Sequence, residues 1–123
     1  MKTRFFELAR KSSKKSLHKQ HKIGAVLVKK NRILSIGFNK PLKTHPLSTA
    51  SYQTVHAELD AILNANKKDV EGATIYVYRE DFYGNIKIAK PCEHCERLLK
   101  LFKIKEVCFT VNNGLEAYRN YYD

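Results

Sequence analysis

The chain has 123 residues, of which 43% are hydrophobic and 28% are charged, as in an ordinary single globular domain. It has no apolar run that could cross a bilayer and no secretory signal at its N-terminus, so the sequence favours a cytoplasmic protein without a membrane partner. Its three cysteines are too few, and odd in number, which excludes a disulfide scaffold.

The net charge of +11 is concentrated in the first third of the chain. Residues 1–43 carry 13 Lys and Arg against one acid, whereas residues 44–123 carry 10 against 11. A local excess of positive charge attracts nucleotides and nucleic acids. However, 17 of the 23 basic residues are Lys, which is also typical of a merely soluble surface. Charge alone leaves both interpretations open.

The first half of the chain predicts a helix, a β-hairpin and a long loop. Residues 3–16 set apolar side chains among Lys and Arg, which indicates an amphipathic helix. Residues 23–29 and 32–38 are apolar, β-branched runs joined by a two-residue turn, as in a hairpin. Residues 39–54 are rich in Pro, Ser and Thr and predict a loop, and loops of that length in a compact domain are usually functional.

The second half predicts alternating helices and strands. In chain order these are a helix at 55–68 with Thr54 as its N-cap, a strand at 73–78, a loop or small hairpin at 80–90, a helix at 92–103, a strand at 106–111 and a short final helix at 114–122. Cys108, in the strand predicted at 106–111, is expected to be a buried core thiol. The whole pattern predicts an α/β domain with a mixed sheet and helices on both of its faces.

Two short segments carry the residues with metal chemistry, and each lies at the start of a predicted helix. They read HAE at 56–58 and PCEHC at 91–95. Zinc prefers imidazole nitrogen and thiolate sulfur in a tetrahedral arrangement, and a catalytic zinc keeps one of its four positions for water. His56, Cys92 and Cys95 supply three ligands, which is the number that a hydrolytic site needs.

The remaining residues of these segments support a catalytic site over the alternatives. Glu58 would lie beside the ion, where a carboxylate can take a proton from water and return it to a substrate. A redox role for Cys92 and Cys95 would leave His56 and Glu58 unexplained. A structural zinc site would need a fourth protein ligand, and His94, between the two cysteines, is expected to point elsewhere on the helix.

These segments resemble the cytidine and deoxycytidylate deaminase superfamily, whose signature is H-x-E followed by P-C-x-x-C. The resemblance extends to Gly37-Phe38-Asn39 and covers roughly residues 2–111. It implies a three-layer α/β/α sandwich around a mixed five-strand sheet, in one zinc-dependent deaminase domain at 1–123. It also implies one Zn²⁺ per chain and a homo-oligomer.

The resemblance further implies roles for individual residues. Glu58 would be the catalytic acid and base. Asn39 falls where family members use an Asn to hold the substrate's sugar. Ala57 would offer its backbone to the base, as would the peptide near Pro91. Because its first ligand is His56 rather than Cys, the chain differs from the free-cytidine branch of the superfamily.

The catalytic residues serve cytosine and adenine alike, so they leave the substrate open. The run that follows Cys95 is similar to that of short deoxycytidylate-type enzymes, including viral ones. The leading hypothesis is therefore deamination of deoxycytidylate to deoxyuridylate, with the phosphate held by Lys or Arg from residues 1–43 or from the 39–54 loop. The alternative is a deaminase of cytosine, or less readily adenine, in single-stranded DNA or RNA. In that case the basic N-terminal third would follow the backbone, and Phe82 and Tyr83 could stack a base.

Overall fold

The computed structural model describes residues 3–16, 21–41, 54–112 and 114–120 of the chain. Its helices are α1 (Thr3–Ser13), α2 (Ala57–Asn64), α3 (Lys67–Val70) and α4 (Glu93–Leu101). Its strands are β1 (Lys22–Lys29), β2 (Arg32–Phe38), β3 (Lys40–Pro41), β4 (Thr54–Val55), β5 (Thr74–Glu80), β6 (Ile86–Lys87), β7 (Glu106–Val111) and β8 (Gly114–Asn120). Among the described residues, no helix combines the length and the apolar composition that crossing a bilayer requires.

Five strands form a mixed sheet in the order β2-β1-β5-β7-β8. The pairs β2–β1, β1–β5 and β7–β8 are antiparallel, and β5–β7 is parallel. A parallel pair needs a crossover connection, and here α4 lies between β5 and β7 in the chain. The predicted α/β class and the mixed five-strand sheet are confirmed.

Successive side chains of the central strands point to opposite faces of the sheet and build two separate cores. One face carries the main core, to which the strands contribute Ala25, Leu27, Ile75, Val77, Val107 and Phe109, and the helices α2 and α4 contribute Ala57, Ala61, Ile62 and Leu99. The other face packs Val26, Val28, Tyr76, Tyr78 and Cys108 against Phe5, Phe6 and Ala9 of α1. Helices therefore cover both faces, as predicted, and Cys108 is fully buried.

Two glycines let the helices approach the sheet closely. A Cβ at Gly24 would overlap the carbonyl oxygen of Ala9 in α1, and a Cβ at Gly37 would overlap backbone atoms of Ala61 in α2. The Ser12 hydroxyl also donates a hydrogen bond of 2.8 Å to the Gly37 carbonyl, which joins α1 to the edge of the sheet. These contacts fix the height of both helices above the sheet.

The helix predicted at 55–68 is wrong in its start and its continuity. It begins at Ala57 with His56 as its N-cap, because His56 is still extended and Thr54 belongs to β4. The helix ends at Asn64, and Asn66 caps the separate α3 by accepting a hydrogen bond from the Lys68 amide. The local preference of Asn for capping interrupts what looked like one helix.

The final helix predicted at 114–122 is also wrong, because residues 114–120 form β8. Its backbone pairs with β7 from Val111 opposite Gly114 to Glu106 opposite Asn120. This pairing satisfies the backbone groups along the outer side of β7, which a helix there would leave without partners. The two connecting residues in the sequence, Asn112 and Asn113, are of a type common in tight turns.

The predicted loop at 39–54 falls mostly outside the described residues. Its two ends, β3 and β4, pair with each other as a small two-stranded sheet. Within the predicted loop at 80–90, β6 pairs with the end of β5 and thus forms a small hairpin. This hairpin is important for the site. The parallel pairing of β7 with β5 ends at Val77, and β6 pairs with β5 beyond that point, at Arg79 and Glu80.

Candidate functional site

His56, Cys92 and Cys95 meet although they come from two distant segments. His56 precedes α2 and Cys92 precedes α4, so the starts of the two helices lie side by side. The nearest atoms are His56 Nδ1 and Cys95 Sγ, at 2.9 Å, and Cys92 Sγ lies 3.9 Å from the same nitrogen. One ligand atom from each residue lies within 4.8 Å of the other two.

The donor set fits a zinc ion. Ligand atoms that each lie about 2.0–2.3 Å from one ion must lie within a few ångströms of one another, as these do. One imidazole and two sulfurs are donors that zinc prefers, and the fourth position of a tetrahedron remains for another ligand. Cys95 is buried and Cys92 is exposed, so the cluster lies between the core and solvent. His94 is not part of the cluster, as predicted.

Burial shifts the protonation of the cluster. It raises the pKa of the Cys95 thiol, and the nearby Glu58 and Cys92 raise it further. Burial also lowers the pKa of the His56 imidazole, with a smaller contribution from His94. The neutral imidazole is the form that binds a metal. A divalent cation reverses the preference of the thiol, because a coordinating thiol is deprotonated.

Glu58 lies in the first turn of α2, two residues after His56, and is almost completely buried. Desolvation raises the pKa of its carboxyl, and hydrogen bonds from its own backbone amide and from the Cys95 side chain lower it only in part. Burial thus favours the protonated form of this carboxyl, and a carboxyl that takes up and releases a proton can act as a general acid and base. Its position and its protonation both suit proton transfer beside a metal.

Asp60 anchors the start of α2 to the end of β2. One of its carboxylate oxygens accepts a hydrogen bond of 3.1 Å from the Phe38 amide, and the other lies 3.0 Å from Lys40 Nζ. The Asp60 amide donates to the His56 carbonyl at 3.0 Å. These contacts tie the backbone at His56 to the sheet.

A pocket of about 370 Å³ opens above the cluster, within the usual range for small-molecule sites. It is lined by His56, Glu58 and Cys92 from the cluster side, by Ile23 and Val77 from the sheet, and by His21, Asn39, Arg79, Ile88, Ala89 and Lys90 around them. The pocket therefore has a reactive side, an apolar side and a basic side.

Asn39 is a wall residue of this pocket, and its side chain is bonded to β1. Its Oδ1 accepts from the Ile23 amide at 3.0 Å and its Nδ2 donates to the His21 carbonyl at 2.8 Å. Ala57 and Pro91 are buried and adjacent to pocket residues, but they do not themselves line the pocket.

Arg79, Lys90 and His21 are pocket residues that the sequence reasoning missed as part of a site. The sequence predicts His21 as a solvated or locally hydrogen-bonded side chain, and no motif indicates Arg79 as a site residue. His21 directly precedes β1, and Arg79 lies near the end of β5, 58 positions away in the sequence. Only the β1–β5 register, in which Ile23 lies opposite Arg79, brings them together.

Other predicted candidates lie elsewhere. Phe82 and Tyr83 are 69% and 84% exposed, contact each other edge to face, and do not line the pocket. His18 and His45, which the sequence predicts to be solvated or locally hydrogen-bonded rather than metal ligands, lie outside the described residues.

Comparisons with known proteins agree with this geometry. The family model for the cytidine and deoxycytidylate deaminase zinc-binding region matches residues 1–111. Human deoxycytidylate deaminase is 30% identical over 119 residues, covering 85% of this chain and 61% of the human protein. Deoxycytidylate deaminase of Mycobacterium phage D29 is 29% identical over 125 residues, covering 85% of this chain and 90% of the phage protein. The chain thus spans about three fifths of the human relative.

Solved structures show the same fold. The dCMP deaminase of cyanophage S-TIM5, in complex with dCMP and dUMP, aligns with a TM-score of 0.65 at 22% identity, covering 87% of this chain and 81% of that one. A cytidine deaminase from Burkholderia pseudomallei aligns with a TM-score of 0.71 at 21% identity, covering 97% and 92%. With the family model, the metal-ligand cluster and the sheet order in agreement, this chain belongs to the cytidine and deoxycytidylate deaminase family of zinc-binding proteins.

Proposed function

We propose that this chain catalyses the hydrolytic deamination of cytosine in a nucleotide, converting deoxycytidylate and water to deoxyuridylate and ammonia. The observation that carries the proposal is an open pocket in which buried Glu58 lies beside the three ligand residues His56, Cys92 and Cys95. Relatives named deoxycytidylate deaminase support the choice of base and phosphate.

In this proposal, His56, Cys92 and Cys95 hold one zinc ion. When bound, the ion would lower the pKa of water and thereby supply a nucleophile at neutral pH. The reaction needs attack at C4 of the cytosine ring, with loss of the exocyclic amino group. The ligands come from the starts of two helices that are both packed on the sheet, so the protein holds the reacting groups in a fixed position.

Glu58 moves the protons. Its carboxylate would take a proton from water and deliver it to the ring nitrogen next to C4. It would then carry the proton of the new C4 hydroxyl to the amino group, which leaves as ammonia as the C4 carbonyl forms and the C–N bond breaks. Burial supports this role, because it raises the pKa of Glu58 and so makes the protonated form accessible during turnover. A Gln at this position would keep the shape but could not exchange a proton.

Asn39 is proposed to orient the sugar. Its amide already uses one N–H and one lone pair on the backbone of β1, which leaves one N–H and one lone pair for a sugar hydroxyl. The backbones of Ala57 and of the peptide near Pro91 are proposed to contact the base, because both adjoin residues that line the pocket. A homo-oligomer and a cytoplasmic location stay predictions.

A substrate panel tests the proposal. Ammonia release is measured from zinc-loaded protein with deoxycytidylate, cytidylate, deoxycytidine, cytidine, adenosine, guanine and a short single-stranded oligonucleotide. We expect deoxycytidylate to give the highest kcat/KM. Release from adenosine or guanine alone would contradict the choice of base, and release from none of them would contradict the proposal as a whole.

A second candidate function, deamination within single-stranded nucleic acid, is supported by two features. Residues 1–43 carry a net charge of +12. Phe82 and Tyr83 are exposed aromatic side chains on the β5–β6 connection, which lies in the chain between the pocket residues Arg79 and Ile88. Phosphate contacts by Lys and Arg make binding strongly salt-dependent, so affinity for an oligonucleotide should fall steeply between about 50 and 200 mM salt. The absence of binding at low salt would eliminate this candidate.

A further inference from the structure

The pocket contains a guanidinium whose charge has no acidic partner among the residues that the structure describes. Arg79 lies at the end of β5 and lines the pocket together with Lys90. None of the ion pairs among the described residues includes Arg79, and Glu58 is the single acidic residue among those that line the pocket. Since a positive charge near an apolar wall is poorly screened, this side of the pocket attracts anions.

Two hydrogen bonds fix the orientation of this guanidinium. Arg79 Nη2 donates to His21 Nδ1 at 2.7 Å, and Arg79 Nη1 donates to the Ile88 carbonyl at 3.3 Å. Arginine stays protonated in proteins, so His21 Nδ1 must be the acceptor. The Arg79 backbone is held as well, because its amide donates to the Thr110 hydroxyl at 3.2 Å. A cation whose guanidinium and backbone are both held by hydrogen bonds is preorganised for a ligand.

The guanidinium also keeps unused donors. Its Nε is buried and has no hydrogen-bond partner among the described residues. A buried donor without a partner costs free energy, so such groups in native proteins call for an explanation. Each of Nη1 and Nη2 retains one further N–H beyond the bonds given above. These two remaining N–H groups of Nη1 and Nη2 can each donate to an oxygen of one phosphate.

We propose that Arg79 recognises a phosphate group of the substrate and thereby determines that the pocket takes nucleotides in preference to nucleosides. The proposal rests on the pocket of the proposed function and deepens it. It assigns phosphate binding to the end of β5, whereas the sequence predicted a Lys or Arg from residues 1–43 or from the 39–54 loop. Lys90 contributes a second positive charge at the exposed edge of the pocket.

The small β5–β6 hairpin places Arg79 and its partner carbonyl. Arg79 lies opposite Lys87 in the register, one residue from Ile88. Asp81 holds the connection, since one carboxylate oxygen accepts from the amides of Tyr83 and Asn85, each at 2.9 Å.

Direct binding of the reaction product tests the proposal without depending on turnover. Titration calorimetry on zinc-loaded protein compares deoxyuridine 5′-monophosphate with deoxyuridine for the unmodified chain, Arg79→Gln, Arg79→Lys and the control Lys87→Gln. Lys87 is a suitable control because it carries the same charge on the neighbouring strand and does not line the pocket.

We expect Arg79→Gln to weaken monophosphate binding by about 10- to 100-fold, the loss of a charge-assisted hydrogen bond, and to leave the nucleoside unchanged. Arg79→Lys should lie between the two, because it keeps the charge without the paired donors. Lys87→Gln should bind the monophosphate as the unmodified chain does. Equal effects of Arg79→Gln on nucleotide and nucleoside, or no effect on either, would overturn the proposal.

Two further binding measurements test the phosphate site independently of the monophosphate titrations. Inorganic phosphate should compete with the monophosphate on the unmodified chain, which tests the site even if Arg79→Gln does not fold, and a lack of competition would count against it. An oligonucleotide without terminal phosphates distinguishes the source: if Arg79→Gln weakens it and not the monophosphate, the recognised group is a phosphodiester. An Arg79-dependent affinity in a protein that releases no ammonia would refute the proposed deamination and leave this inference standing.

Discussion

Nδ1 of His56 lies 2.9 Å from Sγ of Cys95, although 39 positions separate the two residues in the sequence. The contact exists because α2 and α4 begin next to each other on one face of the sheet, and both helices start with a ligand residue. The same arrangement buries Glu58 behind the ligands. The geometry of the site is thus a consequence of where two helices start.

Replacement of Cys92 by Ser should remove the metal. Cys92 is exposed, so its substitution disturbs little packing, but it takes one of three protein ligands from the ion. We expect the zinc content to fall from about one per chain towards zero and the melting temperature to fall with it, because metal binding is coupled to folding. Metal analysis of the purified protein and thermal unfolding measure both.

Cys108→Ala is the matched control, since this thiol lies on the opposite face of the sheet, packed with α1. It should keep its full zinc content and lose stability only through the small cavity it creates. A Cys92→Ser protein with the zinc content of the unmodified chain would show that the ligand set is wrong.

Replacement of Glu58 by Gln should strongly reduce turnover and leave the bound metal in place. General acid–base groups contribute about 10²- to 10⁴-fold to rates, and we expect kcat to fall by that range while zinc content is unchanged. Ammonia release and metal analysis are measured on the same samples. Glu93→Gln, an exposed position in the first turn of α4, is the control and should keep its activity. An active Glu58→Gln protein would contradict the assignment of the proton carrier.

The metal-ligand residues could be predicted from the sequence because their spacing is local. A His two residues before a Glu, and two Cys three residues apart, each fall within one turn at the start of a helix, and helix starts are recognisable by capping residues and Pro. The three ligands and Glu58 therefore emerged together. The order of the predicted helices and strands likewise indicated a mixed sheet, because each of these elements was recognised from a local pattern.

The basic side of the pocket could not be predicted in this way. Arg79 and His21 meet through the register of β1 and β5, and register depends on the whole packed sheet rather than on nearby residues. Likewise β8 adopts the strand conformation through pairing with β7, which overrides a local pattern that read as a helix. Long-range pairing is the information that the local patterns lack.

Tyr78 should make stability decrease at alkaline pH. Burial, and then the nearby Glu80 carboxylate, raise the pKa of Tyr78 to about 12. In the unfolded chain the phenol ionises near pH 10. Between about pH 10 and pH 12 the folded state therefore holds a proton that the unfolded state has lost, so the stability present below pH 10 is lost as the pH rises.

Tyr78→Phe removes this titrating proton, so the free energy of unfolding should decrease less steeply between about pH 10 and pH 12. The measurement is the free energy of unfolding in urea at several pH values from 8 to 12, compared as slopes rather than as absolute values, because the substitution also removes a buried hydrogen bond. The raised pKa of Cys108, about 11, contributes equally in both proteins. Identical slopes would contradict the buried, acid-flanked environment of Tyr78.

Gly37→Ala should destabilise the fold, because the added Cβ would overlap backbone atoms of Ala61 that cannot move without displacing α2. Overpacking of this kind costs about 1–3 kcal/mol of unfolding free energy. Urea unfolding measures it. Arg32→Ala, at an exposed position of the same strand, should stay within about 0.5 kcal/mol of the unmodified chain. A Gly37→Ala protein as stable as this control would show that α2 does not pack on β2 as described.

The most direct test of the central claim is a zinc titration of the metal-free, folded chain, with ammonia release from deoxycytidylate recorded at each addition. We predict that the rate rises in proportion to bound zinc and stops rising at one ion per chain. A metal-free chain that releases ammonia at the full rate, or a chain with one bound zinc that releases none, would contradict it.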